Sequence, residues 1–94
     1  MLKITWRRTV IAGETQPEDF LAEDENGRTI GRVYRYHDSR WFWAFQAQGP
    51  DIDWPNGPTS YVAPTKQAAA DAVREMFQRC RRSLAVGRMH PPEG

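Results

Sequence analysis

Residues 65–86 read TKQAAADAVREMFQRCRRSLAV, and the spacing of their apolar side chains decides what the rest of the chain must do. Ala68, Ala69, Ala72, Val73, Met76, Phe77, Cys80 and Leu84 recur at i, i+1, i+4, i+5, i+8, i+9, i+12 and i+16, the stripe of an amphipathic helix. Thr65 is placed as the N-cap, its hydroxyl accepting one of the orphan amide hydrogens of the first turn. Arg79, Arg81 and Arg82 fall where cations suit the negative end of the helix dipole, and Glu75 stands four residues before Arg79 in the favourable order. At ~1.5 Å per residue such a helix runs roughly 30 Å. One helix cannot bury its own stripe, so a flat apolar surface has to cover it.

That surface has to come from the residues before it. Leu2, Ile4 and Trp6 alternate with Lys3, Thr5 and Arg7, a half-buried strand that continues toward Val10. Residues 12–17 read as a connection with Gly13 and Pro17 as breakers. A second strand spans 18–25, and Asn26-Gly27 behind it is a strong hairpin signal of type I′. With that turn, paired positions sum to 53: Glu25 faces Arg28, Glu18 faces Arg35, Phe20 faces Val33 and Leu21 faces Arg32. Two opposite-charge pairs emerge from a register chosen on the turn alone.

The third strand is 28–37 and the fourth is 41–48, WFWAFQAQ. The loop on Asp38-Ser39 leaves two alignments. A two-residue loop puts Tyr34, Tyr36, Trp41, Trp43 and Phe45 on one face. A three-residue loop, Asp38-Ser39-Arg40, gathers Phe20, Val33, Trp41, Trp43 and Phe45 and leaves Tyr34, Tyr36 and Phe42 outside. A one-residue slip exchanges every side chain between the faces. The second alignment is preferred, because it offers the helix one large apolar set.

Residues 49–64, GPDIDWPNGPTSYVAP, are broken by four prolines; 59–63 add a short edge strand, and Trp54 pins the loop to the body. After the helix, Gly87 is the candidate C′ residue and 87–94 a loose tail. The expected fold is therefore α+β, in β-β-β-β-α order. An antiparallel sheet of three to four strands carries one long C-terminal helix on one face, with residues 1–86 as a single domain. The Ala-rich start of the helix complements bulky aromatics on the sheet in volume.

Ninety-four residues with 12% aromatic content suffice for one core. A net charge of +1 argues for no class of partner, although residues 14–25 hold six acids and no base while 79–88 hold four arginines and no acid. Cys80 is the only cysteine, and no apolar run approaches the ~20 residues of a membrane span, so the chain is expected to be cytoplasmic and not membrane-bound.

Catalytic signals are thin. His37 and His90 lack metal-ligand spacing, and one cysteine builds no zinc site. Asp51 and Asp53 read as turn-capping or solvated aspartates, and Cys80 on the apolar stripe reads as a small hydrophobe. No enzyme, cofactor or metal is expected. Binding surfaces offer more. Arg28, Arg32, Tyr34 and Tyr36 lie on one strand beside Trp41, Phe42 and Trp43. Cations interleaved with rings on a sheet are what a stacking platform for nucleic acid needs, and equally what solvated arginines over tyrosine rings look like. Arg81 and Arg82 read as phosphate contacts or as dipole compensation.

The hairpin, the aromatic strand from Trp41 to Phe45 and the helix start at Thr65, Ala69 and Ala72 resemble small bacterial and phage proteins built from a three- or four-stranded sheet and one C-terminal helix. They are also faintly similar to the sheet-plus-helix part of double-stranded-RNA-binding-like domains and of HicB-type antitoxins. The resemblance covers about residues 18–84 and carries over no site residue. The expected function is a small non-enzymatic binding module, a protein-interaction accessory with a protein partner or a second copy of itself. The alternative is binding of single-stranded or structured nucleic acid through Arg28, Arg32, Tyr34 and Tyr36 with the basic helix end, Arg81 and Arg82.

Overall fold

The computed structural model describes residues 3–36 and 39–81. Readings made at Leu2, His37, Asp38, Arg82, Leu84, Gly87, His90 and the 87–94 tail lie outside them. Strands β1 (Thr5–Ile11), β2 (Glu14–Glu23), β3 (Thr29–Arg35), β4 (Trp41–Phe45) and β5 (Ser60–Ala63) precede helix α1 (Lys66–Cys80). The strands form one antiparallel sheet in the order β1-β2-β3-β4-β5. The class is α+β, but the sheet has five strands, not three or four. Both outer strands join it, β1 along β2 and the short β5 along β4.

The β2–β3 register follows the expected sum for Asp19 with Tyr34, Phe20 with Val33, Leu21 with Arg32 and Ala22 with Gly31, and Glu18 reaches Arg35 at 2.9 Å. The turn is different. Asp24 N–H donates to Arg28 C=O and Gly27 N–H to Asp24 C=O, so Glu25, Asn26 and Gly27 form a three-residue loop with positive φ at Gly27 alone. Glu25 therefore does not face Arg28. The side chain of Asp24 accepts from the amides of Asn26 and Arg28, an Asx-type closure that competes with the type I′ turn. The extra residue is absorbed by a bulge between Ala22 and Glu23, which brings Ile30 into the core.

Positive φ at two successive residues occurs instead at Ala12 and Gly13, between the Ile11–Glu14 pair. Residues 12–17 are thus mostly strand. Between the pairs Arg8–Phe20 and Val10–Thr15, β1 advances two residues and β2 five. Pro17 sits in that irregular stretch, where its missing amide hydrogen costs no ladder bond. The end of the β1–β2 hairpin carries exposed Val10 and Ile11.

Across β3 and β4, Val33 pairs with Trp43 and Arg35 with Trp41, and Tyr36 N–H donates to Arg40 C=O. Arg40 is therefore a paired residue rather than a loop residue, so the register is two residues from the one the Asp38-Ser39-Arg40 loop implies. A shift of two preserves the faces. Phe20, Val33, Trp41, Trp43 and Phe45 share the helix side, as the preferred alignment has it, and Tyr34, Tyr36 and Phe42 share the other. Strands β3 and β4 are shorter than 28–37 and 41–48, their pairing ending where the sheet hands over to loops.

Helix α1 lies over β3, β4 and β5 and stops short of β1 and β2. Ala69, Val73, Met76, Phe77 and Cys80 are buried with Ala22, Ile30, Val33, Phe45, Ala47, Ile52 and Ala63. Thr65 caps the helix, its Oγ1 accepting from Ala68 N–H at 3.0 Å. The helix ends at Cys80, well before 86. Arg81 is extended, bridges to Ile52, and leaves Cys80 C=O to accept from Asp53 N–H at 2.8 Å. A loop from 49–64 thus satisfies a carbonyl that a further turn would have used.

Candidate functional site

The six residues singled out from sequence do not form one surface. Arg32, Tyr34 and Tyr36 lie on the open face of the sheet with Phe42, while Arg28 and Arg81 lie at the loop end and Arg82 is outside the described residues. The Arg28 guanidinium makes four hydrogen bonds. It donates to Asp24 Oδ2 at 3.0 Å, to Asp51 Oδ1 and Oδ2 at 2.8 and 2.9 Å, and to Gln48 C=O at 2.9 Å. Arg28 clamps the β2–β3 turn to the 49–64 loop. The Asp51 hydrogen bonds raise the Arg28 pKa, and those from Arg28 hold the Asp51 carboxyl below its ordinary value. Trp54 of the same loop packs on Phe45, ring centroids 5.3 Å apart.

On the open face charge is balanced by near neighbours. Arg32 donates to both carboxylate oxygens of Asp19, which also accepts from Thr9 Oγ1. Burial pushes the Asp19 pKa up, and the bonds from Arg32 and Thr9 outweigh it, leaving the carboxyl lowered. Arg7 pairs with Glu23 at 2.9 Å. The Arg32 guanidinium lies 4.7 Å from the Tyr34 ring centroid, and Tyr34 and Tyr36 stand 5.3 and 5.8 Å from Phe42. These arginines are the partners of local carboxylates and rings. Cys80 is buried among apolar side chains, and desolvation pushes its thiol pKa up.

The helix side carries a second surface that the sequence reading missed. Because α1 does not reach β1 and β2, a groove of ≈ 370 Å³ remains between them, lined by Trp6, Phe20, Val33, Lys66, Gln67, Ala70 and Arg74. Its floor is aromatic. Arg8, opposite Phe20 in the β1–β2 ladder, places its guanidinium 5.5 Å from that ring centroid, and Lys66 Nζ lies 5.0 Å from Phe20 and 5.9 Å from Trp41. Among the described residues, no carboxylate lies within ion-pair distance of Arg8, Lys66 or Arg74. Lys66 moreover occupies the first turn of α1, which holds no acidic residue. The helix dipole disfavours a cation there, so the groove concentrates positive potential.

One signal for this site was present in the sequence. Lys66 follows the N-cap where an acid is the ordinary choice, whereas the pattern around Phe20 signals only core.

Among the described residues no group of three or more His, Cys, Asp or Glu side chains is arranged to hold a metal ion, and no helix is long and apolar enough to cross a membrane. Comparison of the chain with protein-family models, curated proteins and solved structures finds no match.

Proposed function

We propose that the chain is a non-enzymatic binding module of the cytoplasm whose ligand is anionic and sits in the groove between α1 and the β1–β2 hairpin. One observation carries this reading: Lys66 and Arg74 line the groove and Arg8 lies over its Phe20 ring, all with no carboxylate partner among the described residues, whereas the open-face arginines Arg7 and Arg32 each hold one. Cations gathered beside low-dielectric rings attract an anion more strongly than cations dispersed in water. A groove of this size is at the lower end of the range that encloses a small ligand or a short segment of a polymer. The free, buried thiol of Cys80 supports the cytoplasmic placement.

The test is a titration of the ¹⁵N-labelled protein with an oligoglutamate peptide and with a short single-stranded oligonucleotide. Amide shifts gathered at Trp6, Phe20, Lys66, Gln67, Ala70 and Arg74 with either probe are the expected outcome. Shifts confined to Leu21, Tyr34 and Phe42, or none with either probe, would sink the reading.

A second reading, a protein-interaction accessory working through the open face, is supported by the uncovered ring ladder of Tyr34, Phe42 and Tyr36, the last 44% exposed. Its partner is then a protein or a second copy of the chain, and its signature is the open-face shift pattern.

A further inference from the structure

We infer that the occupant of the groove is a single-stranded nucleic acid, with bases against Trp6 and Phe20 and phosphates on Arg8, Lys66 and Arg74. The inference rests on the anionic-ligand reading above and adds the chemical class. The groove combines two features that an acidic peptide would use only in part. Cations alone satisfy carboxylates, but the half-buried rings of Trp6 and Phe20 would remain without a stacking partner. Every base has a π-face, so unpaired nucleotides satisfy rings and cations together.

The spacing agrees. Lys66 and Arg74 are eight residues apart along one helix, about 12 Å at ~1.5 Å per residue. That span is about three and a half phosphate intervals at the ~3.4 Å per-strand rise of a duplex, and fewer in a more extended unpaired strand. Trp6 and Phe20 sit across the groove from these cations, on the two strands that the helix leaves uncovered. A duplex keeps its bases stacked on one another and offers the floor nothing, so the site selects unpaired strand. The surface differs from the Arg32, Tyr34, Tyr36 face, whose guanidinium is already held by Asp19.

The experiment is fluorescence-anisotropy titration with labelled mixed-sequence DNA and RNA strands of about 15 nucleotides, at two salt concentrations. An oligoglutamate peptide of similar charge runs beside them. Wild type is expected to bind the strands more tightly than the peptide, with affinity falling steeply with salt. Lys66→Gln combined with Arg74→Gln, both exposed positions, should weaken binding about tenfold and flatten the slope of log K against log salt by about 1.4. Trp6→Leu should cost about fivefold or more with the salt slope unchanged, and Trp6→Phe should restore most of it. Arg40→Gln, which removes one positive charge away from the groove, should have no such effect. Circular dichroism melts establish that each variant is folded.

Peptide binding that depends on Lys66 and Arg74, without binding of either strand, would overturn this inference and leave the anionic groove standing. Strand binding insensitive to the groove variants would overturn the site. Failure of every probe would overturn both.

Discussion

A Cβ built on Gly31 would lie 2.5 Å from Cγ1 of Val73 and 3.0 Å from the carbonyl oxygen of Ala44, so α1 rests on the sheet at a point where no side chain stands. Gly31 has an ordinary φ; what it supplies is room. Val73 is fully buried there, one turn after Ala69 and one before Phe77. The small residues of the helix start and this glycine set how near α1 comes to β3, and Phe77, one turn on, joins the same buried core as Phe45.

Gly31→Ala is therefore expected to destabilise the fold by about 1–3 kcal/mol, the range for overpacking a filled core. Ala usually favours a strand over Gly, so propensity and packing predict opposite signs. Equilibrium urea unfolding decides between them; a stability equal to or above wild type would mean that α1 shifts freely.

Phe77→Ala removes the largest fully buried side chain. A loss of ~3–5 kcal/mol is expected, transfer and cavity contributions together. A denaturant melt showing less than about 1 kcal/mol would contradict its place in the core.

Asp51 makes stability depend on acidity. Its carboxyl is held low by Arg28, while in the unfolded chain it titrates near the ordinary value of about 3.9. At pH values between the two, the unfolded state binds more protons, so stability rises with pH. The contribution is complete above about pH 5 and lost as pH falls through the lower folded value. Asp51→Asn cannot titrate there. The stability gap between wild type and Asp51→Asn should narrow on acidification below about pH 4. A gap constant down to the acid limit of the measurement would show that Arg28 does not hold the carboxylate.

Tyr34→Ala separates the two surfaces. On the open face, Tyr34 is remote from the groove, and its loss should leave strand affinity within about twofold of wild type. A stacking tyrosine would instead cost ~1–3 kcal/mol of affinity.

Much of this architecture was legible in the chain itself, because periodicity is local. The 3.6-residue repeat from Ala68 to Cys80 defines the buried stripe, and Thr65 announces the helix start. The period-2 pattern assigned Phe20, Val33, Trp41, Trp43 and Phe45 to one face even though the β3–β4 register is offset by two, since parity survives such an offset. The type of the Asn26-Gly27 turn was not legible, because the Asp24 side chain offers the backbone a competing closure. The helix end at Cys80 depends on a loop 27 residues earlier reaching its last carbonyl through Asp53, a partnership with no trace in the helix's own pattern.

The site followed the same division. The sequence by itself determined which residues carry charge and rings, and placed Arg32, Tyr34 and Tyr36 on one strand. Only the tertiary structure decided which cations are already neutralised. Asp19, which also accepts from Thr9, meets Arg32; Asp24 and Asp51 meet Arg28; and nothing acidic among the described residues meets Lys66 or Arg74. Charge neutralisation acts over a few ångströms between residues far apart in the chain, so spacing along the sequence does not report it. For the same reason the groove became visible only once α1 was seen to stop short of Trp6 and Phe20.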